Sequence, residues 1–158
     1  MEGDAELQDL YREVLLDYFR STRHRGRVAS PDIESQGINP LCGDEVVLTV
    51  SVRGGVVEDC KIDGHGCVIS QSSAAMMSEA VKGQTLEEAS KLAEGFKRAM
   101  LGQSSFDDLP DVLDEARALE GVQKYPARIK CALLSWNTLL LGVRSHKEGK
   151  KEVQYQEK

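Results

Sequence analysis

Glu45-Val46-Val47-Leu48-Thr49-Val50-Ser51-Val52-Arg53-Gly54-Gly55-Val56-Val57-Glu58-Asp59-Cys60-Lys61-Ile62-Asp63 is the stretch that decides the fold. Its first half alternates, with Val46, Leu48, Val50 and Val52 on one side and Val47, Thr49 and Ser51 on the other. A period of two rich in β-branched residues is the pattern of a half-buried strand. Arg53-Gly54-Gly55 reads as a tight hairpin turn, and residues 56–63 return as the second strand. Cys42-Gly43-Asp44 enters this hairpin and Gly64-His65-Gly66-Cys67 leaves it. Both points lie at the same end of an antiparallel pair, so Cys42 and Cys67 are expected to be neighbours in space.

Outward from the hairpin the period changes. Leu7, Leu10, Tyr11, Val14, Leu15, Tyr18 and Phe19 mark an amphipathic helix capped by Asp4 and ending near residues 20–22. Residues 23–39 contain Gly26, Pro31 and Gly37 and read as an extended segment with one short strand around Ile33. From Val68 the spacing is helical up to Lys82-Gly83. Thr85-Leu86-Glu87-Glu88 is a capping box opening a helix to about Met100. Residues 103–110 read as a loop and 111–119 as a short helix. Pro126 suits the first turn of a final helix carrying Ile129, Leu133, Trp136, Leu140 and Val143. These elements predict an α+β fold: an antiparallel sheet of about three strands with helices packed on one face. The expected domain spans residues 1–146, and the charged, apolar-poor stretch 147–158 is expected to be a disordered tail.

Composition bounds the function. The 158 residues carry a net charge of −6, with 41% hydrophobic and 29% charged. Such a chain suits one domain and needs no disulfide staple. Nothing in it approaches a membrane-spanning run or a collagenous or low-complexity composition. The acidic balance argues against general nucleic-acid binding. Met1-Glu2-Gly3-Asp4-Ala5-Glu6 is acidic and lacks an apolar stretch, so no secretory signal and a cytoplasmic location are expected. In that setting the four cysteines read as thiols or metal ligands.

The cysteines differ in their surroundings. Cys60, on a strand face with Val56 and Ile62, reads as core. Cys67 follows Gly66 and opens a helix, whose amides favour the thiolate. Cys42 sits in a loop between Pro40 and Gly43, with Asp44 close enough to share a metal or to serve merely as a turn residue. Cys131 lies early in the last helix, where alone it reads as core rather than ligand, with Arg128 three residues before it on nearly the same face, either beside the thiol or solvated. Three thiols and a carboxylate could form a tetrahedral zinc site, although no C-x-x-C pair is present. His65 is a rival ligand or a base for Cys67, or a solvated loop residue. Arg20, Arg23, His24, Arg25 and Arg27 form the one concentrated basic cluster, which complements a helix C-terminus or could meet an acidic partner.

At these residues the chain resembles the SufU family, relatives of the IscU-type iron–sulfur scaffolds. Asn39-Pro40-Leu41-Cys42-Gly43-Asp44 is similar to the family's N-P-x-C-G-D. Gly64-His65-Gly66-Cys67-Val68-Ile69-Ser70 is similar to its G-x-G-C-x-I-S helix start, continued by Ser73-Ala74-Ala75-Met76-Met77. Gly121-Val122, Pro126-Ala127-Arg128-Ile129-Lys130-Cys131-Ala132 and Ser135-Trp136 resemble the third cysteine region. Arg23-His24-Arg25-Gly26 resembles P-R-N-x-G, with Arg23 and His24 as departures. IscU-type scaffolds have a histidine immediately before the last cysteine, where this chain has Lys130, and a Leu-Pro-Pro-Val-Lys motif that it lacks. Residues 102–122 resemble the insertion of the SufU branch.

The resemblance implies an IscU/SufU-like fold and zinc held by Cys42, Asp44, Cys67 and Cys131. It implies a sulfurtransferase that receives persulfide sulfur on Cys42 from a pyridoxal-phosphate cysteine desulfurase of the SUF system and passes it to a downstream acceptor. A histidine of the partner would take the place of Cys42 on zinc, and Arg128 would face the partner. No pyridoxal phosphate is expected in this chain. Two alternatives are a scaffold on which an iron–sulfur cluster assembles and a non-catalytic zinc-binding interaction module.

Overall fold

The computed structural model describes residues 2–157, with side chains from Gln8 onward. The hairpin forms as expected. Strand β2 (Asp44–Arg53) pairs antiparallel with β3 (Val56–His65) around a two-residue turn in which Gly54 and Gly55 have φ of 59° and 77°. Positive φ at both positions matches the right-handed twist of the flanking strands. The strand expected around Ile33 is β1 (Ile33–Asn39), antiparallel to β2 in a register that places Asn39 opposite Asp44.

The chain's end departs from the expectation. Past the last helix it turns back and lays β4 (Glu152–Gln156) parallel to β1, giving a four-stranded sheet in the order β3-β2-β1-β4. The segment read as a frayed tail thus contributes an edge strand. Its alternation, with Val153 and Tyr155 half-buried between exposed Glu152, Gln154 and Gln156, is too short to stand out among the charges.

Four α-helices complete the fold: α1 (Glu2–Arg20), α2 (Val68–Val81), α3 (Leu86–Met100) and α4 (Pro126–Lys147). α1 starts before Asp4, whose side chain lies outside the described ones. Thr85 and Glu88 make the reciprocal capping box of α3. α2 and α4 lie on one face of the sheet, with α1 and α3 packed outside them. Ile33, Val46, Leu48, Val50, Cys60 and Ile62 supply the sheet's side of the core. The connection before β1 runs beside Ile62 at the β3 edge and reaches Thr49, whose Oγ1 accepts from Val28 N at 2.9 Å.

The stretch expected as a short helix over residues 111–119 is a longer 3₁₀ segment, Asp111–Lys124, kinked at Leu113. Leu113, Ala116, Leu119 and Val122 are all buried. Their spacing of three is the period of a 3₁₀ helix and drifts off one face of an α-helix. At the centre of the helical layer Trp136 stacks on Phe96 with centroids 4.3 Å apart, and its Nε1 donates to Ser73 Oγ at 2.8 Å. No helix among the described residues is long and apolar enough to cross a membrane. Trp136→Ala should lower unfolding free energy by about 3–5 kcal/mol, through the cavity and the lost stacking. Urea denaturation checks this.

Candidate metal centre

The two ends of the hairpin meet, as the antiparallel register requires. Asp44 opens β2 and is 1% exposed. Its Oδ1 accepts from Cys67 N at 3.0 Å, so the carboxylate ties the start of β2 to the start of α2. This contact needs glycine on both sides of His65. A Cβ on Gly66 would lie 2.6 Å from Asp44 Oδ1, and one on Gly64 would lie 2.2 Å from Glu45 O. Cys67 caps α2, its sulfur accepting from Ser70 N at 3.4 Å.

α4 brings the third thiol. Cys131 is fully buried, with its Sγ 3.5 Å from Cys42 Sγ. Cys42 is exposed, on the turn between β1 and β2 that is closed by Gly43 N donating to Asn39 O. The ligand atoms of Cys42, Asp44 and Cys131 all lie within 4.8 Å of one another. Cys67 Sγ stands 3.9 Å from Asp44 Oδ2. Adjacent ligands of a tetrahedral zinc with thiolate donors are separated by about 3.7 Å. The Cys131–Cys42 and Cys67–Asp44 separations are therefore edge lengths of such a site. The donor set, three soft sulfurs and one oxygen, suits zinc or an iron–sulfur centre.

Charge makes the same point. Burial first, then the Asp44 carboxylate and the Cys42 sulfur, push the Cys131 thiol well above its usual range. A bound cation would reverse that bias, because a coordinated thiol is deprotonated. Arg128, at the solvent side, faces first Cys67 and then Cys131, and their charge raises its already high pKa. The structure thus brings Cys42, Asp44 and Cys131 together, leaves Cys67 outside that triplet beside Asp44, and sets Arg128 against Cys67 and Cys131.

Two other candidates fall elsewhere. His65 turns to its cross-strand neighbour Glu45, with Nε2 3.6 Å from Oε2, and is not part of the described cluster. Cys60 is buried in the sheet, where desolvation pushes its thiol up to about 12. The basic cluster is spread over separate ties: Arg23 to Glu79, Arg25 to Gln71 and the Phe19 carbonyl, Arg27 to Asp63. Asn39 is a participant that residue-type reasoning missed. Its Oδ1 accepts from Leu41 N at 3.3 Å, and its Nδ2 faces Cys131 Sγ at 4.0 Å. Its only signal was its place in the Asn39-Pro40-Leu41-Cys42 motif.

A small α+β domain with a thiol–carboxylate cluster at the junction of hairpin and helices defines the class. Residues 10–132 match the NifU-like N-terminal domain, and the chain belongs to that family. It is 43% identical over 149 residues to the zinc-dependent sulfurtransferase SufU of Bacillus subtilis, covering 94% of this chain and 99% of that one. It is 39% identical over 130 residues to the iron–sulfur cluster assembly scaffold protein IscU of Thermotoga maritima, covering 82% and 89%. A crystal structure from Fervidobacterium islandicum AW-1, described as a SUF-system scaffold (SufU), superposes with a TM-score of 0.75 at 33% identity, covering 83% of this chain and 94% of that one. The resemblance to SufU read from the motifs therefore stands.

Three outcomes test the geometry. Gly66→Ala should weaken zinc binding by at least about tenfold while leaving most of the folding stability, because the clash falls on Asp44 alone; chelator competition and thermal melting together check it. In the metal-free chain at pH 8, alkylation should reach Cys42 first and spare Cys60. The raised Cys60 pKa also means that its contribution to stability is complete below the unfolded thiol's value near 9 and is lost as pH rises from there toward 12. Alkylation mapped by mass spectrometry and melting temperature against pH read the two effects.

Proposed function

We propose that this protein works in iron–sulfur cluster assembly as a zinc-dependent sulfur carrier, with Cys42 receiving sulfane sulfur from a cysteine desulfurase. The observation that supports this most is the exposure gradient within the cluster. Cys131 and Asp44 are buried, whereas Cys42 is exposed on a turn between two strands. One ligand of the set can leave without unpacking the core.

Zinc held by Cys42, Asp44, Cys67 and Cys131 would keep the donors ionised at neutral pH and restrain their nucleophilicity. The chain's own residues do the rest. Asp44 and Cys67, locked together by the Cys67 amide, hold the rigid half of the site. Cys42, once freed by the docked partner, presents a thiolate at the surface. That thiolate attacks the terminal sulfur of the partner's cysteine persulfide. A new S–S bond forms on Cys42, the partner's S–S bond breaks, and the partner's cysteine leaves as thiolate, with no net oxidation. The exposed Arg128 guanidinium lies beside Cys67 and Cys131, where it can meet an anionic group of that partner. Passage of the sulfur to a downstream acceptor repeats the exchange with Cys42 as donor.

The same donors could hold an iron–sulfur cluster, as in scaffold relatives. Lys130 in the place of the scaffold histidine favours the carrier. Anaerobically purified protein should contain about one zinc per chain and no acid-labile sulfide. Cys42→Ala should keep the fold and abolish stimulation of a SUF-type cysteine desulfurase. Iron with matching sulfide, or undiminished stimulation by the variant, overturns the reading.

A further inference from the structure

We propose that the C-terminal strand β4 braces the candidate metal centre, acting through Asn39. β4 runs parallel to β1, pairing Glu34 with Glu152 through to Ile38 with Gln156. The ladder closes with Glu157 N donating to Ile38 O at 2.9 Å. The strand therefore finishes beside Asn39, at the end of β1 from which the Cys42 turn departs.

Its end is also fastened to α4. The Glu157 carboxylate accepts from Tyr155 OH at 2.8 Å and from Asn137 Nδ2 at 3.4 Å. Asn137 lies on α4, the helix that carries Cys131. Tyr155 packs against the core. At its start, Lys150 N donates to Ser145 O, and Glu34 N to Lys151 O, each at 2.8 Å. β4 thus joins the two elements whose spacing sets the Cys42–Cys131 distance.

Asn39 passes that restraint on. It is 1% exposed, so its amide has one environment to satisfy. Its backbone oxygen accepts from Gly43 N, its Oδ1 accepts from Leu41 N, and its Nδ2 faces Cys131 Sγ. One buried side chain shapes the turn holding Cys42 and touches the second sulfur. Without β4, β1 becomes the sheet edge, and edge strands fray from their ends. Asn39 is at that end. It is a positioning residue, and the brace acts on the metal-free chain, so it does not rest on the sulfur-transfer reading.

Amide hydrogen exchange and cysteine alkylation on the metal-free protein test this. The full chain is compared with a chain ending at Gly149, with Tyr155→Pro, and with Asn39→Ala. The Tyr155 N–H lies on the same side of the strand as that of Glu157, so proline there removes a ladder donor. Loss of β4 by either route should speed exchange at residues 38–43 and alkylation of Cys131 by about tenfold or more, with α2 and α3 unchanged. Asn39→Ala should loosen residues 41–43 and leave the β1–β4 amides protected. Unchanged exchange at 38–43 without β4 overturns the proposal. So does an equal loss of protection across α2 and α3 in Tyr155→Pro, which would make β4 a general stabiliser. Unchanged exchange at 41–43 in Asn39→Ala overturns the part assigned to that residue. If the exchange results hold but zinc fails to bind, the functional reading fails and the brace stands.

Discussion

The hydrogen bond from the Cys67 amide to the buried Asp44 carboxylate is the constraint on which the site depends. A carboxylate taken out of water is costly unless its oxygens are used. Here one oxygen accepts the amide at the head of α2, where the helix dipole favours negative charge, and the other faces the Cys67 sulfur. The bond fastens the entry of the hairpin to the helix that follows its exit. Gly66 leaves room for it, because any side chain there would occupy the place of Asp44 Oδ1.

The rest of the fold serves that junction from a distance. The sheet and α2 hold Asp44 and Cys67, and α4 carries Cys131 in from the opposite end of the sequence. Trp136, five residues beyond Cys131, is locked by Phe96 and Ser73, so α4 cannot slide along the sheet without breaking the centre of the helical layer. The arrangement makes a site that is rigid at Asp44, Cys67 and Cys131 and open at Cys42. Cys60 is the internal contrast. It has the same side chain, but it sits where the sheet meets the helices, and burial first, with the Asp59 charge, favours the neutral thiol.

Sequence relatives are named as a sulfurtransferase and as a cluster scaffold, and a solved relative from the SUF system shares this architecture. Two thiols and a carboxylate gathered around one point, with a third thiol beside the carboxylate, are donors that suit a soft cation of either kind. What differs is which ligand can leave and what lies beside it. In this chain the exposed cysteine of the cluster is Cys42, on a turn flanked by the exposed Leu41, with Arg128 close to Cys67 and Cys131.

Much of this was legible in the residues. Alternation from Val46 to Val52 with Gly54-Gly55 defined the hairpin, and the hairpin placed Cys42 and Cys67 at one end, because antiparallel pairing leaves no other geometry. The Thr85–Glu88 box and the spacing along α4 are local signals and were read correctly. The distance between Cys131 and Cys42 was not legible from local pattern, since it is set by how α4 crosses the sheet; only the family resemblance pointed to it. His65 had the right chemistry, and its strand register turned it to Glu45. The helix read over residues 111–119 runs on to Lys124 as a 3₁₀ segment, because Leu113, Ala116, Leu119 and Val122 keep a period of three. The C-terminal strand was decided by tertiary structure alone. Five residues set among flanking charges carry too weak a pattern by themselves, and they become a strand because β1 offers an open edge and α4 delivers the chain to it.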